Sequence, residues 1–194
     1  EEGGTRFFDN SALYHVHGEY KFTPTWADHI RVGSNVRMYN PKSNGTVFSD
    51  TSGISITNKE FGIYGGIQKS LLADNKMKVQ ITARADKNEN FNWLFSPAAS
   101  LVYTPSQNQF FRLSFSSAIR NPTLSNQYLF LDVGRATLSG NLNGVQDLIT
   151  IESLVDFFNA PGIAELEFFD IDPVRPEEVK TFEVGFRSTL FDKL

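Results

Sequence analysis

Cysteine is absent from the 194 residues, which excludes disulfide bonds, thiolate metal sites and cysteine nucleophiles. No window approaches the roughly 18 consecutive apolar residues that indicate a membrane-spanning helix. A spanning β-barrel is still compatible with the sequence, because its strands are only about 10 residues long and half polar. The chain also lacks a basic stripe interleaved with aromatic residues, so nucleic acid is not a predicted partner. Neither a Ser-His-Asp arrangement nor a pair of acid and base carboxylates is recognisable, and we therefore do not expect an enzyme.

The sequence contains instead a strict alternation of apolar and polar residues. Around residue 80, for example, Val79 and Ile81 alternate with Gln80 and Thr82. Side chains of a strand point alternately to its two faces, so this pattern predicts strands with one apolar and one polar face. Seven such strands are predicted, near residues 12–22, 29–39, 59–71, 76–87, 95–104, 110–120 and 179–191.

The connections between these strands alternate between short and long, and the longest runs over residues 121–178. Tight turns at one end and long loops at the other are typical of an outer-membrane barrel, with periplasmic turns and extracellular loops. Aromatic residues gather towards the short turns, as an interfacial girdle would. The alternative fold is a soluble β-sandwich or lipocalin-like barrel that turns its apolar face inward.

Charge is distributed unevenly along the chain. The segment from Asp147 to Glu178 carries nine carboxylates and one base, Arg175, whereas the remaining chain is net positive. Within this segment Ser153 and Asp156 have the spacing of a helix capping box, and Pro161 and Gly162 would end such a helix. We expect a short helix inside an acidic loop.

Two stretches, FFRLSFSSAIRNPTL and RPEEVKTFEVGFRSTLF, resemble the late barrel strands of a TonB-dependent receptor. The residues that carry the resemblance are Arg120-Asn121-Pro122, then Pro176-Glu177 and Glu183-Val184-Gly185-Phe186. The stretches VGSNVRMYNPKSNGTVFSD and FSPAASLVYTP resemble other parts of the same barrel.

This resemblance implies an all-β antiparallel transmembrane barrel in the bacterial outer membrane, with about seven strands of a barrel of about 22. It implies active import of a scarce ligand captured by extracellular loops, and a chain that lacks the plug domain and covers the later middle third of a receptor. The implied partners are outer-membrane lipid and lipopolysaccharide, the rest of the barrel, the plug, the TonB complex and an unknown ligand. A passive outer-membrane channel is the alternative function within the same fold, and a soluble β-sandwich binding module is the alternative outside it.

The alternation assigns candidate site residues to each face. On the polar face, turned towards lumen, plug or ligand, we predict Arg31, Arg37, Arg84, Arg112, Arg120, Glu183 and Arg187. On the lipid-facing side we predict Val16, Val36, Ile63, Val79, Ile81, Leu113, Phe115, Val184 and Phe186.

No cofactor, catalytic residue or metal site is predicted. His15, His17 and Glu19 share one strand face, but a metal would need a ligand from a second element, so polar lumen residues are the favoured interpretation. Glu165, Glu167, Asp170 and Asp172 offer oxygen ligands for a divalent cation, although a solvated loop explains them as well.

Overall fold

The computed structural model describes residues 7–51, 53–134, 136–160, 162–163 and 165–189. The chain divides into two compact units. The first, here called the sheet unit, comprises Ala12–Asn40, Thr57–Asn121 and Pro176–Leu194. The second, the loop unit, comprises Glu1–Ser11, Pro41–Ile56 and Pro122–Arg175.

The sheet unit begins with six strands that follow one another along the chain. They are β1 (Ala12–Phe22), β2 (His29–Asn40), β3 (Asn58–Leu71), β4 (Met77–Asn88), β5 (Leu94–Ser106) and β6 (Gln109–Arg120). Each pairs antiparallel with the next, and a 3-10 turn at Ala73–Asn75 joins β3 to β4.

The segment between β6 and the last strand contains two short helices and two small two-stranded sheets. In chain order they are α1 (Leu124–Tyr128), β7 (Phe130–Asp132), β8 (Thr137–Ser139), β9 (Val145–Ile149), α2 (Ile151–Asn159) and β10 (Phe168–Ile171). Strand β7 pairs with β8 and β9 with β10, both antiparallel.

The last strand, β11 (Glu177–Ser188), returns to the sheet unit and pairs antiparallel with β6. The strand order β1-β2-β3-β4-β5-β6-β11 is a seven-stranded antiparallel meander. The prediction of an all-β antiparallel fold with seven strands is confirmed. Within the described residues the sheet is open, with β1 and β11 at its edges. Residues 190 and 191 of the predicted last strand lie outside the described residues.

Helix α2 forms where a helix was expected, but its cap differs from the prediction. Thr150 is the N-cap, and its Oγ1 accepts a hydrogen bond from the backbone N–H of Ser153 at 3.2 Å. Ser153 is therefore the third residue of the helix, and its side chain is buried. The expected stop at Pro161 lies outside the described residues. No helix in the described part of the chain is long and apolar enough to cross a membrane.

The register gives the sheet two chemically distinct faces. Val16 pairs with Val36, and Leu113 pairs with Val184, so apolar residues of neighbouring strands lie opposite one another. The nine residues predicted to face lipid all occupy this apolar face, and the seven predicted to face the lumen all occupy the other. A one-residue slip between two strands would move the apolar residues of one of them to the polar face. No such exchange occurs among the paired residues described, so all seven strands keep the same two faces.

Burial in this protein is the reverse of that in a soluble domain. Among the described residues only Ala27 and Ile56 are buried hydrophobic residues. Large apolar side chains of the sheet are exposed instead, for example Val16 at 73% and Val184 at 75%. The buried side chains are mostly polar, and Asn58 and Asn88 on the polar face are only 1% exposed.

Candidate functional site

The polar face carries a cluster of side chains centred on the carboxylate of Glu60. Its Oε2 accepts a hydrogen bond from the Tyr39 hydroxyl at 3.3 Å and lies 4.0 Å from Arg37 Nη1. Its Oε1 accepts the side-chain amides of Asn88 at 3.0 Å and Asn121 at 2.9 Å. One carboxylate therefore joins β2, β3, β4 and the residue that follows β6. We call these five residues the Glu60 cluster.

Asn121 reaches Glu60 from a distant part of the sheet. Strands β3 and β6 are three neighbours apart in the strand order, a separation of roughly 14 Å along a flat sheet. A 2.9 Å hydrogen bond across that separation requires the polar face to be concave, with Asn121 leaning inwards over it. The concavity beside the cluster has a volume of about 410 Å³, and Asn35, Arg84 and Asp86 also line it.

Arg84 is held rigidly next to the Glu60 cluster. Its guanidinium donates to both carboxylate oxygens of Asp86, at 2.6 and 2.5 Å, and to Asn35 Oδ1 at 2.7 Å. These three side chains meet above Gly62, where a Cβ atom would overlap all of them. The glycine thus provides the space in which the Arg84 pair forms.

Gly62→Ala should destabilise the sheet by no more than about 1 kcal/mol, because the added methyl group displaces only the ends of flexible side chains and weakens the partly exposed Arg84–Asp86 pair. Urea unfolding of the intact receptor in lipid measures this change. Gly185→Ala is the matched control, since Gly185 lies on the same face of β11 and its nearest atom would be Arg112 Cβ at 3.7 Å. An equal loss for both variants would mean that the space above Gly62 is not what matters.

A second polar group lies around Tyr64. The Tyr64 hydroxyl donates to Glu19 Oε2 at 2.6 Å and lies 2.8 Å from His17 Nε2, while its ring stacks on the His17 imidazole. The ring also covers Gly33 on β2, where a Cβ would overlap it. Two members of the His15, His17 and Glu19 set are thus engaged by a tyrosine.

No group of three or more His, Asp or Glu side chains suited to a metal ion occurs in the described part of the chain. In the predicted acidic run, Asp170 Oδ1 accepts the backbone N–H of Asp147 at 2.9 Å, and Asp172 pairs with Arg175 at 3.1 Å. Both contacts are made to other residues of the loop unit, and the four carboxylates are exposed.

The other predicted polar-face residues are more dispersed. Arg112 and Glu183 line a separate concavity of about 250 Å³, where Glu183 Oε2 accepts the Ser114 hydroxyl at 3.2 Å. Arg120 lies 3.9 Å from Glu177 at the end of the β6–β11 pair. Arg31 is opposite Lys21 and Gly66, and Arg187 is opposite Phe110. Among the described residues, the predicted set therefore meets in two pairs, Arg37 with Arg84 at one concavity and Arg112 with Glu183 at the other.

Sequence reasoning missed the acceptors and amides that organise this face. Glu60, Asn88 and Tyr64 were not proposed as site residues, and Asn121 entered only as part of a motif. The available signal was the recurrence of Asn and Glu at polar-face positions near the strand ends, at 58, 60 and 88.

In the loop unit, the Pro41–Ile56 segment is organised by the buried carboxylate of Asp50. This carboxylate accepts the Ser43 hydroxyl and backbone N–H, both at 2.5 Å, and the backbone N–H groups of Asn44 and Gly45 at 3.1 and 3.0 Å. Burial raises the pKa of Asp50, but these hydrogen bonds outweigh it and hold the pKa below its ordinary value.

The Asp50 turn should therefore open in acid. A group whose pKa is depressed in the folded state stabilises the fold above its unfolded pKa, about 3.9 for aspartate, and this contribution is lost as pH falls through the lower folded value. Hydrogen exchange at the Asn44 and Gly45 amides should accelerate relative to the sheet below about pH 4. Asp50→Asn should show faster exchange already at pH 7. Exchange unaffected by either change would contradict this role for the carboxylate.

A family model described as TonB dependent receptor-like, beta-barrel, matches residues 2–194. The chain belongs to this family. Comparisons with curated proteins and with solved structures gave no significant match.

In this TonB-dependent receptor barrel, the two motifs that carried the resemblance meet in the sheet. The register sets Arg120 opposite Glu177 and Gly185 opposite Arg112, so the residues before and after the long segment are paired. The middle residue of Arg120-Asn121-Pro122 supplies one of the amides bound by Glu60. Members of this family are transporters and not enzymes, and they are typically located in the outer membrane.

Proposed function

We propose that this chain forms part of the wall of a 22-stranded outer-membrane receptor that imports a scarce ligand into the periplasm. The apolar face of the sheet contacts lipid and the polar face lines the lumen. The segments that make up the loop unit lie on the extracellular side and capture the ligand, and the TonB complex drives its import past the plug.

The observation that carries this proposal is the reversed burial of the sheet. Val16, Ile81 and Val184 are more than half exposed, whereas Asn58 and Asn88 are buried in hydrogen bonds on the opposite face. A soluble sandwich would bury its apolar face, because each Å² of apolar surface removed from water stabilises the fold by about 25 cal/mol. Exposure of that face to water is therefore disfavoured. Lipid is the solvent that matches it. The alternative of a soluble binding module is correspondingly disfavoured.

The assignment of the two faces is tested with spin labels on β4 in the intact receptor, reconstituted in lipid. Labels at Val79 and Ile81 should be relaxed mainly by oxygen, which partitions into lipid. Labels at Gln80 and Thr82 should respond mainly to a water-soluble nickel reagent. A stronger nickel response at Val79 and Ile81 than at Gln80 and Thr82 would overturn the proposed orientation.

Active import is separated from passive conduction by the dependence on TonB. A deletion strain complemented with the receptor is supplied in turn with an iron siderophore, cobalamin, an oligosaccharide and a peptide as limiting nutrient. Growth on one of them that requires both the receptor and TonB supports import. Growth that requires the receptor but survives loss of TonB identifies a passive channel.

A further inference from the structure

Ser153 is the buried residue of helix α2 in the loop unit. Its Oγ accepts the backbone N–H of Glu167 at 3.0 Å while it donates to the Thr150 carbonyl at 3.1 Å. On the opposite side of the helix, Ile151, Val155 and Phe158 are 79%, 51% and 72% exposed. An α-helix advances by about 100° per residue, so these three side chains form one stripe that faces away from Ser153.

An ordinary surface helix turns its apolar residues towards the core. In α2 only Leu154 and Phe157, each 37% exposed, lie nearer the packed side, and the other three apolar residues face outwards. The stripe formed by Ile151, Val155 and Phe158, here called the α2 patch, is followed by a turn that leaves Ile163 86% exposed. Exposed apolar residues that adjoin one another in this way could be covered by a binding partner.

The charge around the α2 patch constrains what can cover it. Glu152 and Asp156 lie together along one side of the stripe on the same helix. Residues 147–175 contain seven carboxylates and one arginine. That arginine, Arg175, is already paired with Asp172. An anionic lipid surface would be repelled, whereas a partner with cationic groups beside apolar ones would gain from both features.

We propose that the α2 patch is a docking surface for a basic amphipathic polypeptide segment. Apolar side chains of the segment cover Ile151, Val155 and Phe158, and its lysine or arginine side chains lie against Glu152 and Asp156. In this form of recognition an amphipathic helix contacts its partner through apolar side chains that recur once per helical turn. The proposal concerns the surface of the loop unit alone and is independent of whether the receptor imports its ligand.

The test measures binding of a fluorescent Leu/Lys amphipathic peptide to the full-length receptor in nanodiscs of zwitterionic lipid, with empty nanodiscs as background. The double variant Ile151→Ser, Phe158→Ser should weaken binding about tenfold or more, since it removes the apolar anchors. Leu138→Ser is the matched control, because Leu138 is an exposed apolar residue on β8 of the same unit, and it should leave binding unchanged. The variant Glu152→Gln, Asp156→Asn should weaken binding at low salt and reduce its salt dependence.

Several results would overturn the docking proposal. They are the absence of binding, equal binding of a Leu/Glu peptide of the same length, and an equal loss in the Leu138→Ser control. Stronger binding of the receptor to anionic vesicles than to the peptide would identify lipid as the occupant and also overturn it. None of these results bears on the spin-label test of the wall, so the two proposals fail separately.

Discussion

Ile81→Lys in the intact receptor should lower the free energy of unfolding by about 2–4 kcal/mol, whereas Gln80→Lys should change it by much less. Ile81 lies near the middle of β4 on the apolar face, between Ile67 and Ala99 of the neighbouring strands. In the proposed orientation, a lysine there would place an ammonium group in hydrocarbon close to the bilayer midplane. Gln80, one residue earlier, is opposite Gln68 and Ser100 on the polar face, where a charge remains solvated.

Urea unfolding of receptor reconstituted into vesicles, followed by tryptophan fluorescence, measures both variants under the same conditions. Val79→Lys should resemble Ile81→Lys with a smaller loss, because the cost of a charge falls away from the midplane. If Gln80→Lys were as damaging as Ile81→Lys, the division of β4 into a lipid face and a lumen face would be wrong.

The second large effect is expected at the centre of the Glu60 cluster. Glu60→Ala removes the acceptor shared by Tyr39, Asn88 and Asn121 and leaves Arg37 without its counter-charge. The Glu60 side chain is only 19% exposed, so water cannot fully replace the lost partner. Tyr39 and Asn121 are only half-buried, and Asn88 keeps a hydrogen bond to Asn58 Oδ1 at 2.8 Å. We therefore expect a destabilisation of about 1–3 kcal/mol, the cost of roughly one buried polar group left unsatisfied.

Glu183→Ala is the matched control for this experiment, because Glu183 is a polar-face carboxylate with one exposed hydrogen bond, to Ser114. Its removal should alter stability by no more than about 0.5 kcal/mol. A double-mutant cycle with Asn121→Ala isolates the bond that crosses the sheet, and a coupling energy above about 0.5 kcal/mol is expected. Additive losses would show that Asn121 and Glu60 stabilise the sheet independently.

The period-2 alternation was sufficient to predict the seven strands and the two faces of the sheet. Val79 and Gln80, for instance, are assigned to opposite faces by parity alone, and pairing with neighbours of the same parity then makes each face continuous. The alternation says nothing about contacts between distant strands. Glu60 and Asn121 are 61 residues apart, and their hydrogen bond depends on the curvature of the sheet.

The internal structure of the long acidic segment was only partly predictable. Two hydroxyl residues, Thr150 and Ser153, are three positions apart, and either could cap a helix that begins there. The structure uses Thr150, because the Ser153 hydroxyl serves as acceptor for Glu167, a contact set by tertiary packing. The strands of this segment have only three to five residues each, which is too few for an alternation of apolar and polar residues to be recognised.

The order of strand pairing also has a kinetic consequence. Strands β1 to β6 each pair with the next strand along the chain, so these pairings close much shorter loops than the β6–β11 pairing does, the longest being the connection over residues 41–57. The β6–β11 pairing must instead wait until Glu177 meets Arg120, after a long intervening segment. Loop-closure entropy grows with the length of flexible chain between the two strands. Any helix or strand pair that forms within that segment before β6 meets β11 would shorten its effective length, and the β6–β11 pairing would then be faster than for an unstructured segment of the same length.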